Sequence, residues 1–195
     1  MSLKTGRGAG ARVWLMTDLL APSDVVGFWK AAGPKRWYKK SDAFDAEVRE
    51  ALGEAHLAAA RRELDRWMES AEGALALLIL LDQVPRNIFR GSAHQFATDP
   101  LARSFCKAGI AAGYPAAFEP ELRQFLLMPL MHSEALADQD ALLPLVADMP
   151  ETLKFAHIHR NIIVRFGRFP HRNAALGREM TAEEQAFLDG GGFGG

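Results

Sequence analysis

The sequence predicts an all-α protein, on three observations. Apolar residues recur at spacings of three and four through most of the chain, prolines and glycines fall where helices would start and stop, and almost no stretch alternates with period two. The expected architecture is about seven to nine helices in stacked antiparallel hairpins with short links and no sheet, as a globular bundle or a short solenoid. No clean repeat of about 34 residues supports the solenoid form by periodicity.

The elements follow in chain order. Residues 1–21 are rich in glycine without helical period and are expected to be a loosely ordered tail. Ser23 is placed to cap a helix through Val25, Val26, Phe28 and Trp29 that stops at Gly33-Pro34. Ser41 is placed to cap the next, whose Phe44, Val48, Leu52, Ala55 and Ala59 share one face. Trp67 falls at the end of that helix or in a short one after it. The run from Ala71 to Val84 is apolar on all sides in its middle, as a central helix would be, and Pro85 is expected to end it. Thr98 or Asp99 before Pro100 starts another helix, which Gly113 stops. Leu122, Phe125 and Leu126 mark a helix over Glu121 to Met131, bent or ended by Pro129. A further helix covers part of Glu134 to Val146, and Pro150 opens a long one through Leu153, Ala156, Ile163 and Phe166. Thr181 with Glu184 forms a capping box for a last short helix that ends at the glycines from Gly190.

With 195 residues, 49% of them hydrophobic, the chain can bury a core as one domain, expected over 22–193 with a glycine tail at 194–195. The single cysteine, Cys106, excludes an intramolecular disulfide and reads as a core residue beside Leu101, Phe105 and Ile110. The longest apolar run, Ala74 to Leu81, is far short of the roughly 20 residues a bilayer requires, and no secretory apolar segment precedes Asp18. The cytoplasm is the expected compartment. A net charge of −1 argues against a general nucleic-acid binder.

That average hides adjacent blocks of opposite sign. His132 to Glu151 holds five acids (Glu134, Asp138, Asp140, Asp148, Glu151) and no Lys or Arg, while Thr152 to Arg178 holds six bases and no acid. Blocks so arranged are expected to fold against each other. Three stretches carry the unusual chemistry. "LLDQVPRNIFRG" places Asp82, Gln83, Arg86, Asn87 and Arg90 directly after the most apolar helix. "MHSEALADQD" holds His132, with Glu134 and Asp138 at helical i, i+4 spacing. "RFGRFPHRNAALGR" supplies Arg165, Arg168, His171, Arg172, Asn173 and Arg178. His159 sits on the apolar side of its helix, the usual place of a hydrogen-bonded core histidine. His157 and His159 lack the spacing of a helical metal site, so neither a metal nor a cofactor is expected. No phosphate loop, dinucleotide fingerprint, CxxC pair or nucleophile elbow is present.

Arg86, Asn87, Arg90, Arg165, Arg168, His171, Arg172, Asn173 and Arg178 are therefore the candidate ligand-binding residues. Asp82, Gln83, His132, Glu134, Asp138 and His159 form the supporting network. Guanidinium forks match carboxylates and phosphates, so three readings stand. The cluster binds a protein, a peptide or a small anion; it serves a hydrolase on an anionic substrate through His132 or His171 with Glu134 or Asp138; or it is an internal ion-pair network.

Taken together, "FW" at Phe28-Trp29, "WY" at Trp37-Tyr38, "LLDQVPRNIFRG", "MHSEALADQ" and "RFGRFPHRNAALGR" resemble the bacterial DUF924 family over roughly Pro22 to Phe193. The resemblance implies a tetratricopeptide-like fold of stacked helical hairpins. It implies no activity, substrate or catalytic residue.

Overall fold

Residues 20–194 are described by a computed structural model. Among them there are nine α-helices and no strand. Helix α1 is Pro22–Ala32, α2 is Pro34–Trp37 and α3 is Asp42–Ala60. Helix α4 runs without a break through Ala71–Leu78, a π-turn at Ile79–Gln83 and Val84–Ile88. Then come α5 (Asp99–Ala111), α6 (Pro120–Met131), α7 (Leu136–Leu142), α8 (Pro150–Phe166) and α9 (Ala182–Asp189). Short 3-10 turns occupy Asp65–Glu69, Ala93–Phe96, Tyr114–Ala117, Leu143–Val146 and Pro170–Arg172. The expected tail at 1–21 lies, for residues 1–19, outside the described residues, as does Gly195 of the glycine tail.

Most ends follow their caps. Ser41 accepts from the Phe44 amide at 3.3 Å and Ser70 from Gly73 at 3.1 Å. Thr181 and Glu184 close the expected capping box at 3.2 and 2.9 Å. Two starts differ from expectation. Helix α1 begins one residue before Ser23, with Pro22 at its first position and the Asp24 carboxylate accepting from the Ala21 amide at 2.8 Å. Thr98 precedes α5 as expected, but its hydroxyl turns away from the helix and donates to the Leu81 carbonyl. Pro129 lies inside α6 without ending it.

Helix α4 is the axis of the fold. Every residue from Gly73 to Pro85 is buried, and α1, α3, α5 and α6 pack around it. Trp29, Phe44, Leu52 and Phe125 fill the surrounding layer with side chains fully removed from water. The Trp37 indole donates to the Trp29 carbonyl at 2.7 Å and meets the Phe125 ring edge-on at 4.8 Å, which explains the paired aromatics of the first hairpin. Cys106 is buried in the same core, and burial pushes its thiol up to about 12, so it is an inert packing residue. A second, smaller core joins Ile162, Ile163 and Phe169 with Phe166, Phe187 and Phe193, where the C-terminal segment folds back on α8.

Pro85 does not end the helix, contrary to the sequence expectation, and the physical reason is local. Proline has no amide hydrogen, so in a regular helix the Leu81 carbonyl would lose its donor. The chain inserts a π-turn instead, in which the Val84 amide reaches back to Ile79. That step leaves the Leu80 and Leu81 carbonyls without main-chain partners, and side chains supply them. His56 Nδ1 donates to the Leu80 oxygen at 2.8 Å, and the Thr98 hydroxyl donates to the Leu81 oxygen. The Arg86 guanidinium donates to the Asp82 carbonyl one residue further on.

A buried carbonyl stripped of its donor costs about 1–3 kcal/mol. Thr98→Val should therefore lower unfolding stability by about that amount in denaturant titration. An unchanged midpoint would show that the π-turn carbonyls do not depend on these side chains.

Candidate functional site

The π-turn swings Asp82 inward, where its carboxylate is fully buried at the centre of a polar cluster. Oδ1 accepts from His132 Nδ1 at 2.7 Å and lies 3.2 Å from Arg86; Oδ2 accepts from the Gln83 amide at 2.6 Å. Burial alone would raise the Asp82 pKa. The Arg86 charge and the His132 ring outweigh it and hold the group far below the usual carboxylate range. An ionised Asp82 can only accept, so His132 carries its proton on Nδ1 and presents Nε2 as an acceptor.

Asp99, the first residue of α5, joins two guanidiniums. Its Oδ2 accepts from Arg86 at 3.0 Å and from Arg172 at 3.1 Å, while Oδ1 is buried without a partner among the described residues. Arg172 also donates to the His132 carbonyl at 3.0 Å and lies between the Phe96 and Phe169 rings at 4.5 and 4.6 Å. Burial, then the neighbouring Arg86 charge, lowers its pKa to about 10 against the pull of Asp99 and Glu134. Among the described residues its Nε has no partner. The inner pair of arginines thus shares one oxygen of Asp99 and leaves one guanidinium nitrogen without a partner among the described residues. Arg86 and His132 nonetheless keep 19% and 16% of their side chains exposed, so the cluster is not sealed within the core and forms a partly exposed floor.

Three histidines line this floor. His159 lies 6.3 Å from His132, centroid to centroid, and its Nδ1 donates to the Phe155 carbonyl at 2.8 Å, as a core histidine should. His171 stands next to Arg172, 5.5 Å from the Phe169 ring, with Nδ1 buried and without a partner among the described residues. Burial comes first in keeping all three neutral. It is reinforced at His132 by Arg86, at His159 by the His132 ring and Arg172, and at His171 by Arg172 and His159. The resulting values are about 4 for His159 and about 3 for His171.

The remaining candidates are distributed outside this floor. Arg178 holds Glu134 bidentately at 2.8 and 3.0 Å, while Glu134 also accepts from the Phe169 amide. Arg168 holds Glu184 bidentately at 2.6 and 2.8 Å, with Asn173 donating to the same carboxylate at 3.2 Å. Arg165 pairs with Glu183 on the surface. Arg90 and Asn87 both turn to Asp45 on α3, at the edge of a shallow cleft of about 440 Å³ that also involves Lys40 and Arg49. The single cluster expected from sequence is therefore an inner pair and a set of outer clamps. Glu134 and Asp138 do not share a helix face, because Glu134 precedes α7. Asp138 is bound by Lys107, Arg103 and Ser133, so it orients none of the candidate guanidiniums. The opposed charge blocks do meet, through Glu134 with Arg178 and Asp140 with Arg160.

Sequence reasoning missed Asp45, Asp99, Glu184 and Phe96. Asp99 and Glu184 were legible as helix-start acids, and that role masked their second one as guanidinium partners. Asp45 looks like an ordinary acid in the first turn of α3. No group of three or more His, Cys, Asp or Glu side chains able to hold a metal occurs among the described residues, and no helix there is long and apolar enough to cross a membrane.

The model of a family described as bacterial protein of unknown function (DUF924) matches residues 14–192. A solved structure, of a protein of unknown function from Agrobacterium tumefaciens, is 49% identical with a TM-score of 0.85. The similarity covers 87% of this chain and 97% of that one. No curated protein matches.

The neutral histidines carry a pH signature. In the unfolded chain a histidine takes up its proton near 6.5, whereas His159 and His171 stay neutral in the folded state down to about 4 and about 3. In that window the unfolded state binds more protons, so stability falls as pH drops, by about 1.4 kcal/mol per pH unit for each such histidine. Denaturant titrations between pH 6.5 and 5, above the range of the carboxylates, should show this slope. His159→Gln should remove about one proton's share of it.

Proposed function

Because the chain belongs to the DUF924 family, whose members come with no assigned activity, we propose its function from the site: it binds a small anionic ligand at Arg86 and Arg172. The observation that carries this reading is the convergence of both guanidiniums on one oxygen of Asp99, with the buried Arg172 Nε left without a partner among the described residues. A phosphate or carboxylate supplies the Arg172 guanidinium with an acceptor beyond Asp99 and the His132 carbonyl, in the bidentate geometry that arginine favours. The outer arginines, Arg90, Arg165, Arg168 and Arg178, are each matched by a carboxylate and act as clamps that hold the helix ends around the floor. In this reading the ion-pair network and the anion site are both present, on different residues. The small exposed share of Arg86 and His132 suits a small anion better than a peptide.

A hydrolase-type role is the second reading, favoured by one feature. The Asp82–His132 pair has the geometry of an oriented general base, with the carboxylate buried, Nδ1 held and Nε2 left as an acceptor. The arginines beside it would stabilise negative charge developing on a bound substrate. We also retain the tetratricopeptide-like scaffold as part of the proposal. Consecutive packing of α5 on α6, α6 on α7 and α7 on α8 supports it, whereas the wrapping of several helices around α4 is the feature of a globular bundle.

Inorganic phosphate should raise the melting temperature of the wild-type protein. At a hundredfold excess over Kd the gain is about 2.7 kcal/mol. Arg172→Gln should abolish the response and Arg90→Ala, on the far cleft, should keep it. Equal responses in all three proteins would remove the inner pair as the site. If the second reading holds, turnover of a chromogenic aryl phosphate is lost in His132→Asn while phosphate binding remains.

A further inference from the structure

The C-terminal segment after α9 is built almost wholly of glycine around a single aromatic residue, Phe193. Its path is set by packing that only glycine permits. Gly191 has φ +80°, and a Cβ on Gly192 would stand 2.5 Å from the Phe187 ring. The Gly192 amide donates to the Phe187 carbonyl at 2.9 Å, and this is the last main-chain bond of the segment among the described residues. The chain is thereby aimed so that the half-buried Phe193 ring meets two of the histidines of the floor, tilted to one and edge-on to the other. Its centroid is 4.5 Å from that of His159 and 5.6 Å from that of His171.

Resting on the anion-site reading above, we propose that Phe193 is a tethered cover, and that it holds the place of a flat apolar group on the ligand. The preferred ligand is then an anion that carries an aryl group, such as an aryl phosphate or aryl carboxylate. Its charged end is taken by Arg86 and Arg172 and its ring lies on the His159, His171 and Phe169 surface. Three observations support this. The covered surface consists of aromatic rings and imidazoles kept neutral, which take an aryl ring in tilted or edge-on contact without demanding a counter-charge. His171 Nδ1, beneath the cover, lacks a partner among the described residues. The tether is weak: ordering a run of glycines is costly, while the half-buried Phe193 ring returns only part of what full burial would. Docked and released forms of Phe193 are therefore close in free energy, and a ligand ring can exchange with it.

The test compares phenyl phosphate with inorganic phosphate by calorimetric titration of the full-length protein and of Phe193→Ala and Gly192→Ala. Gly192→Ala keeps the ring but spoils its path against Phe187. Both variants should bind phenyl phosphate about tenfold more tightly than wild type, as expected when a competitor worth about 1.4 kcal/mol is removed. Their affinity for inorganic phosphate should not change. If inorganic phosphate binds but phenyl phosphate affinity is the same in all three proteins, the cover is refuted and the anion site stands. Weaker phenyl phosphate binding in Phe193→Ala would also refute it, by making Phe193 a part of the binding surface. If neither compound binds any of the proteins, the anion site itself fails and the cover with it.

Discussion

One missing hydrogen governs this structure. Pro85 sits within the most buried helix of the protein, and its lack of an amide proton forces the preceding turn out of α register. A π-turn accommodates the gap, but only with help from neighbouring elements. His56 on α3 and Thr98 before α5 must supply donors to the buried carbonyls left without them. The same distortion carries Asp82 into the interior as an ionised carboxylate, which is tolerable only with His132, Gln83 and Arg86 around it. From this constraint the rest of the site follows. Arg86 is fixed by Asp82 and Asp99, Asp99 draws in Arg172, and Arg172 anchors the turn that carries His171.

The charges around this core perform two different tasks. Bidentate pairs such as Arg168 with Glu184 and Arg178 with Glu134 satisfy both partners and tie α9 and the 170–178 turns to the domain. Ion pairs of this kind contribute little net stability, because desolvation offsets attraction, yet removing one partner is costly. They specify geometry. The inner pair differs, since Arg86 and Arg172 share one acceptor oxygen and repel each other. Both are positioned by the clamps that surround them.

The fold was largely legible in the sequence because it depends on local signals. Ser41, Thr181 with Glu184, Pro150 and the apolar spacing of Phe44, Val48 and Leu52 fix helix boundaries within a turn or two of chain. What failed at Pro85 was a local rule overridden by distant partners, because the donors that rescue the helix lie 24 and 17 residues away. The site was legible only as a set of residue types. Asp82, His132, Arg86 and Arg172 were identified, but their grouping was not, since guanidinium partners such as Asp45 and Asp99 are chosen by tertiary packing. The i, i+4 spacing of Glu134 and Asp138 misled for a related reason: the helix begins between them, and each is claimed by a different cation. Phe193 carried no sequence signal beyond its isolation among glycines.

Buried, ionised Asp82 holds His132 as a neutral ring with its proton on Nδ1 and Nε2 left to accept. Nitrogen-15 NMR of the His132 ring, read by long-range correlation at pH 7, tests it most directly. The expected spectra show a protonated Nδ1, a bare Nε2, and no charging of the ring until the pH falls below its ordinary value near 6.5. A ring charged at pH 7, or a proton resident on Nε2, would contradict it.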